Sequence, residues 1–434
     1  MTVDAAAPPR RALERRAWTV VALATMCSAL PAFLTGALGV QLRDEVGLSA
    51  TDIGLAMGTS FAVAAVLSAP MGRVAQRLGP RRAFRGGLAV STLSMALVAA
   101  FARDAWQLAA ALGLAGGANA LNQPSANLLL ATHVGDARMG FALATKQSGM
   151  PAAALLGGVA VPAIALTLGW EWAFVVGAVL AVLAGVLLPA DVAPPRRREA
   201  QAELVGGGPE RAEPGRGAAT AGSTAAAGRA GRSRRAARPD LGTGLLVLYA
   251  VVGLLGSANA GAMVGFITSA AEASGLGPGA AGLVLSLGSL LGVASRMFQG
   301  WQVDHHGILP IQRLVWLFGL GGLGVLVMAI DAPITYVLAP IPAFAFGWAW
   351  PGLFNLSVIR NNPSAPAAAT GISQVGVFAG AALGPAVGGV VIDDGGYRLL
   401  WLLGAATLLV GSMLAVLLRT RIRASRVATA PALL

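Results

Sequence analysis

The sequence predicts an all-α membrane protein with twelve transmembrane helices in two pseudo-symmetric six-helix bundles. Three observations carry that prediction. Of 434 residues, 56% are hydrophobic and only 12% are charged, about half the charge of a soluble domain. Twelve apolar segments each have the roughly 20 residues that a helix needs to cross a bilayer. The second half of the chain repeats landmarks of the first at an offset of 227 to 228 residues.

The spans are predicted at 18–41, 52–73, 83–102, 106–131, 140–168, 171–190, 243–268, 279–301, 309–330, 333–358, 367–392 and 397–419. The first is too long for a cleaved signal peptide and lacks a small-residue cleavage site. Lys and Arg favour the cytoplasmic side of a bilayer. Arg10, Arg11, Arg15 and Arg16 precede span 1, Arg77, Arg81, Arg82 and Arg85 follow span 2, and Arg419, Arg421, Arg423 and Arg426 follow span 12. The alternate loops hold only Arg43, Arg103 and Arg398, each near an acid. Both termini are therefore expected in the cytoplasm. Of the 31 basic residues only Lys146 is lysine. That bias, with abundant Ala, resembles the product of a GC-rich bacterial genome, so a bacterial cytoplasmic membrane is the expected location.

The expected layout is a tail at 1–17, a bundle at 18–190, a linker at 191–240, a second bundle at 241–419 and a tail at 420–434. The linker holds ten Arg, six acids and no aromatic residue. It cannot bury enough apolar surface to offset its chain entropy, so disorder is expected there. Its position separates six spans from six. At an offset of 228, Gly54, Gly72 and Gly79 fall on Gly282, Gly300 and Gly307. At 227, Pro124, Gln147, Gly157, Gly169 and Gly177 fall on Pro351, Gln374, Gly384, Gly396 and Gly404. Duplicated six-helix halves characterise transporters that rock around a midplane site.

After span 2 runs Gly72-Arg73-Val74-Ala75-Gln76-Arg77-Leu78-Gly79-Pro80-Arg81-Arg82, with a second copy at Gly300-Trp301-Gln302-Val303-Asp304-His305-His306-Gly307. It resembles the loop signature of the major facilitator superfamily, G-x-L-A-D-R-x-G-R-R/K. The resemblance covers nearly the whole chain and implies two six-helix bundles opening alternately to each side of a central cavity. It assigns gating to Gly72, Arg73, Arg77, Gly79, Arg81, Arg82, Gly300, Asp304 and Gly307. Gln76 stands where the family carries Asp, so the first copy has lost the charge of that lock. An alternative role for these Arg residues is to set topology alone. Span 11 carries Gly371, Gly380, Gly384-Pro385 and Gly388-Gly389. That pattern resembles one that marks drug–proton antiporters of the superfamily when it lies in span 5. A plainer reading is close helix packing along a glycine stripe.

Charges inside spans are costly and mark functional candidates. Arg296 lies in span 8, roughly 7–8 Å from its cytoplasmic end at about 1.5 Å per residue, and Lys146 lies at similar depth in span 5. Arg296-Met297-Phe298-Gln299-Gly300 with Asp304 resembles span 8 of monocarboxylate and oxalate–formate carriers, which implies that Arg296 binds a substrate carboxylate. A guanidinium fork matches that group in geometry and charge. Against this stand snorkelling of the side chain to the headgroups and a purely structural pairing within the protein. Lys146 is predicted to add long-range attraction from nearer water. Gln147 and Gln374, the polar strip Asn119, Asn122 and Gln123 with Asn127, and Asn259, Trp350 and Asn355 complete the predicted substrate site. Phe346, Trp350 and Phe354 form an aromatic stripe, for which helix packing is the alternative.

No acid lies mid-span, because Asp52, Glu171, Asp304 and Asp393 all sit at span ends. The site is electropositive, which favours an anion. The expected function is secondary or facilitative transport of small organic anions, carboxylates above all, with multidrug efflux as the alternative. An enzyme is not expected: His133, His305 and His306 fall outside the predicted spans and no H-E-x-x-H occurs. The expected partners are the substrate, a coupling proton or counter-substrate and the bilayer, in a monomer. The basic residues are not interleaved with stacking aromatics, so no nucleic acid is expected. Cys27 is the single cysteine, and neither a metal nor another cofactor is expected.

Overall fold

The computed structural model describes residues 10–133, 139–188, 240–306 and 309–428. Helices occupy nearly all of them, and no strand occurs among the described residues. Spans 1 to 4 are Arg10–Ala37, Ala50–Leu78, Pro80–Phe101 and Ala105–His133. Span 5 runs in pieces, Met139–Gln147, Gly149–Ala160, a π-turn at Val161–Ala165 and a last turn at Leu166–Leu168, before span 6 at Trp170–Leu187. Spans 7 to 9 are Thr243–Ala273, Pro278–His306 and Pro310–Met328. Span 10 is divided into Pro333–Leu338, Pro340–Gly347 and Pro351–Asn361. Spans 11 and 12 share Pro366–Ala428, which leaves helical geometry at Gly396.

Ten helices among the described residues are long and apolar enough to cross a membrane, and one of them, Ala369–Ser425, holds both spans 11 and 12. Span 4 is not among the ten, because Gln107, Asn119, Asn122 and Gln123 lower its hydropathy. It packs inside its bundle all the same, against spans 1, 2 and 3.

Several boundaries differ from the sequence expectation. Span 1 stops at Ala37, and a separate short helix, Gly39–Val46, follows it. Helix also reaches into both expected tails, from Arg10 and as far as Ala428, since nothing in those segments breaks it. The segment from Gly72 to Leu78 is the last part of span 2 and not a loop. The break comes at Gly79, whose φ of 81° suits glycine alone. Span 8 likewise continues through His305 to His306. The linker lies outside the described residues except for Asp240, whose carboxylate accepts from the Ser364 backbone N–H at 3.0 Å.

The repeat is visible in the joints. Gly169 between spans 5 and 6 (φ 104°) and its mate Gly396 between spans 11 and 12 (φ 75°) make the same kind of corner. It is visible in the packing too. A Cβ at Gly376, Gly380 or Gly384 would overlap the carbonyl oxygens of Ala250, Leu254 and Ala258 on span 7. In the first bundle a Cβ on Gly149 or Gly157 of span 5 would press on the Ala22 and Phe33 oxygens of span 1, at 2.7 and 3.1 Å. The glycine stripe of span 11 therefore serves backbone contact with span 7.

The bundles meet tightly toward the arginine-poor end. Gly36 of span 1 faces Gly265 of span 7, Gly54 and Gly58 of span 2 face Pro385 and Ala382 of span 11, and Gly158 of span 5 faces Gly282 of span 8. Ser49 and Asp52 form a capping box at the start of span 2. From the other bundle Asp393 accepts from the backbone N–H groups of Ala50 at 3.3 Å and Thr51 at 2.8 Å. A carboxylate there suits the positive end of the span 2 helix. Arg43 donates to the Tyr397 hydroxyl at 2.9 Å across the same seam.

Candidate functional site

Between the bundles lies a cavity of about 130 Å³. It draws Phe33 and Phe61 from spans 1 and 2, Asn119 and Gln123 from span 4, and Gln147 and Met150 from span 5. The second bundle contributes Ser257, Arg296, Trp348, Trp350, Phe354, Asn355, Gln374 and Phe378, among others. Arg296 is the one charged residue in this lining.

Two helix breaks hold Arg296. Pro151 stands four residues after Gln147 and has no N–H, so the Gln147 carbonyl loses its helical donor. Span 5 breaks beside it at Ser148. Span 10 breaks between Gly347 and Pro351, around Trp348. The guanidinium fills both gaps. Its Nη1 donates to the Gln147 oxygen at 2.8 Å, while Nε and Nη2 donate to the Trp348 oxygen at 3.1 and 2.7 Å. The charge also sits 5.0 Å from the centre of the Trp348 ring, a cation–π distance. Arg296 thus spans the two bundles and is only 7% exposed, which is not a snorkelling geometry. Its acceptors are neutral carbonyls, and no carboxylate among the described residues pairs with it. A buried guanidinium with unused N–H groups has capacity for an anion.

Lys146 departs from expectation. It is 4% exposed rather than close to water, and its Nζ donates to Asn127 Oδ1 at 2.8 Å. It neighbours Gln147 in the chain but does not line the cavity.

Four of the five side-chain amides of the lining form two pairs. Gln374 donates to Asn355 Oδ1 at 2.6 Å, and Gln123 donates to Asn119 Oδ1 at 3.3 Å. Each pair keeps spare donors and acceptors. Besides Lys146, two more predicted residues are absent from the lining. Asn122 donates to the Ser28 hydroxyl of span 1. Asn259 faces the small Gly404 of span 12, where an added Cβ would lie 2.8 Å from its Oδ1, and its Nδ2 is buried without a partner. Nothing in the sequence sets a phase for its rotation about the helix. Trp350 and Phe354 do reach the cavity, packed edge to face at 5.4 Å, whereas Phe346 is not in the lining.

Residues 21–360 match the pattern of the Major Facilitator Superfamily. The chain belongs to that superfamily. It is a membrane transporter, and no curated protein matches it. The facilitator's loop signature can now be placed. Arg73, Arg77 and Arg82 are exposed. Arg81 donates to the Leu188 oxygen at 3.4 Å, and its neighbour Arg85 donates to the Gly185 oxygen at 3.2 Å. Both therefore satisfy carbonyls at the end of span 6 within one bundle, as cations do at a helix C-terminus. A Cβ on Gly72 would meet nothing within 4 Å, and one on Gly300 only Ala144 at 4.0 Å. Neither glycine is required by a close approach. The Asp304 side chain and Gly307 lie outside the described residues.

Sequence reasoning missed Phe33, Phe61, Trp348 and Phe378, which carry no polar signal. It also missed that Gln147 serves Arg296 through its backbone. Pro151, four residues on, is the signal that could have revealed it.

Proposed function

We propose that this facilitator carries small organic anions, carboxylates above all, by alternating access of the cavity. The supporting observation is Arg296. Its charge is buried against the cavity and bonded only to carbonyls of Gln147 and Trp348. Leaving a charge without a counter-charge in such surroundings costs about several kcal/mol, and a bound carboxylate relieves that cost. The tight seam at the arginine-poor end fits a cavity that opens toward the arginine-rich end. In this reading the termini and the 191–240 linker lie on the cytoplasmic side, and Arg73, Arg77 and Arg82 are free to engage as the inner gate closes. A coupling proton or a counter-substrate supplies the drive.

The test is uptake of a labelled carboxylate panel by proteoliposomes holding the wild type, Arg296→Lys or Arg296→Gln. Hydrogen bonds to charged groups are worth about 1.5–3 kcal/mol each. Arg296→Gln is therefore expected to weaken carboxylate affinity about 100-fold, and Arg296→Lys to fall severely because it loses the fork. Monodisperse Arg296→Gln protein with wild-type carboxylate affinity would overturn the anion assignment.

A further inference from the structure

We propose that the preferred substrate is a monovalent aromatic carboxylate, one charge and one ring. This rests on the anion reading and narrows it.

The single charge follows from the cations. Arg296 alone is charged in the lining, while the Lys146 ammonium is held by Asn127 outside it. A second carboxylate would be buried with no counter-charge, which disfavours dianions.

The ring follows from the walls. Phe33, Phe61, Trp348, Trp350, Phe354 and Phe378 face the cavity from both bundles. Five of them already pair in geometries that aromatic rings prefer. Trp348 meets Phe33 edge-on at 6.0 Å and 74°, Phe33 lies 6.5 Å from Phe61, and Trp350 meets Phe354 at 86°. Aliphatic acids do not need this many rings, and an aromatic guest adds a partner to each neighbouring edge or face.

The size agrees. An apolar cavity of about 150 Å³ holds a benzene ring, and this one measures about 130 Å³ with Arg296 at its wall.

The experiment is calorimetric titration of the full chain in nanodiscs with benzoate, cyclohexanecarboxylate and terephthalate, repeated on Phe33→Leu. Benzoate is expected to bind about tenfold tighter than cyclohexanecarboxylate, with terephthalate weakest. Phe33→Leu is expected to shrink the benzoate advantage and leave cyclohexanecarboxylate nearly unchanged. Equal affinity for benzoate and cyclohexanecarboxylate, or terephthalate as the tightest ligand, would overturn the proposal and leave the anion reading standing. Binding of none of the three, with Arg296→Gln indistinguishable from wild type in uptake of the wider panel, would remove the anion reading itself.

Discussion

Spans 5 and 11 are the same helix written twice, and they are used differently. Each lies along the first span of its own bundle through glycines, span 5 on span 1 and span 11 on span 7. Span 11 stays helical up to Gly396, with Pro385 inside it. Span 5 breaks at Ser148 and again in the π-turn at Val161–Ala165. At the 227 offset, Pro151 has Phe378 as its mate and Pro162 has Gly389. Each proline removes a helical donor. The carbonyl released by Pro151 is the one that Arg296 occupies. One copy has kept a smooth packing surface, and the other gives up helical regularity to hold a charge at the cavity.

The largest effect should come from spoiling the smooth copy. A side chain at Gly380 would overlap the Leu254 oxygen, which is backbone and has no room to yield. Gly380→Leu should abolish recovery of folded protein, read as loss of the monodisperse peak in size-exclusion chromatography. Gly72→Ala is the contrast, since nothing lies within 4 Å of the added carbon. Its yield and thermal midpoint should match wild type. If Gly380→Leu behaves like Gly72→Ala, then span 11 does not depend on its glycines.

The fold was largely legible because a bilayer leaves few alternatives: long apolar segments, Arg-rich loops and a duplication suffice. The site was legible only in part. Arg296, Gln147, Gln374 and Asn355 stood out because polar groups in an apolar helix attract notice. Phe33 and Phe61 did not, because phenylalanine faces lipid as readily as a cavity. Asn259 lies inside the protein but outside the cavity lining, which was not legible, since a helix apolar on every side gives its polar residue no phase. Arg296 was chosen for its side chain, yet what holds it are backbone oxygens. Residue identity is silent about those except where a proline strands one.

An intermediate effect is expected at the far end of span 11. Asp393 caps the N-terminus of span 2 from the opposite bundle. A charge at a helix terminus is worth about 0.3–1 kcal/mol, up to about 2 in favourable sites. Asp393→Asn keeps the shape and loses the charge, so the seam at the arginine-poor end should open about fivefold more often at about 1 kcal/mol, and up to about thirtyfold at about 2. Ser269 reports on that seam, because it is buried near Gly39, where an added Cβ would lie 2.9 Å from its hydroxyl oxygen. In a Cys27→Ala background, Ser269→Cys should react faster with a water-soluble thiol reagent once Asp393→Asn is added. An unchanged rate would mean that the glycine contacts alone close this end.

The smallest effect should come from mending the broken copy. Pro151→Ala restores an N–H four residues after Gln147. The backbone at Ser148 is already near helical geometry, with φ −71° and ψ −14°. The Gln147 carbonyl can then bond within its own helix, and Arg296 Nη1 loses an acceptor. In the empty protein that leaves a buried charged donor unsatisfied, a cost of about 1–3 kcal/mol. In the complex a substrate carboxylate takes the freed N–H and removes the cost. Loss of a bond in the free state, regained in the bound state, tightens binding. Benzoate affinity should therefore rise severalfold in Pro151→Ala, read by titration. The effect must run through the guanidinium, so in the Arg296→Gln background the same change should leave benzoate affinity unmoved. A gain that persists without Arg296 would mean the proline acts by reshaping span 5. Weaker binding in the single variant would mean that the Gln147 carbonyl positions Arg296 for the substrate instead of competing with it.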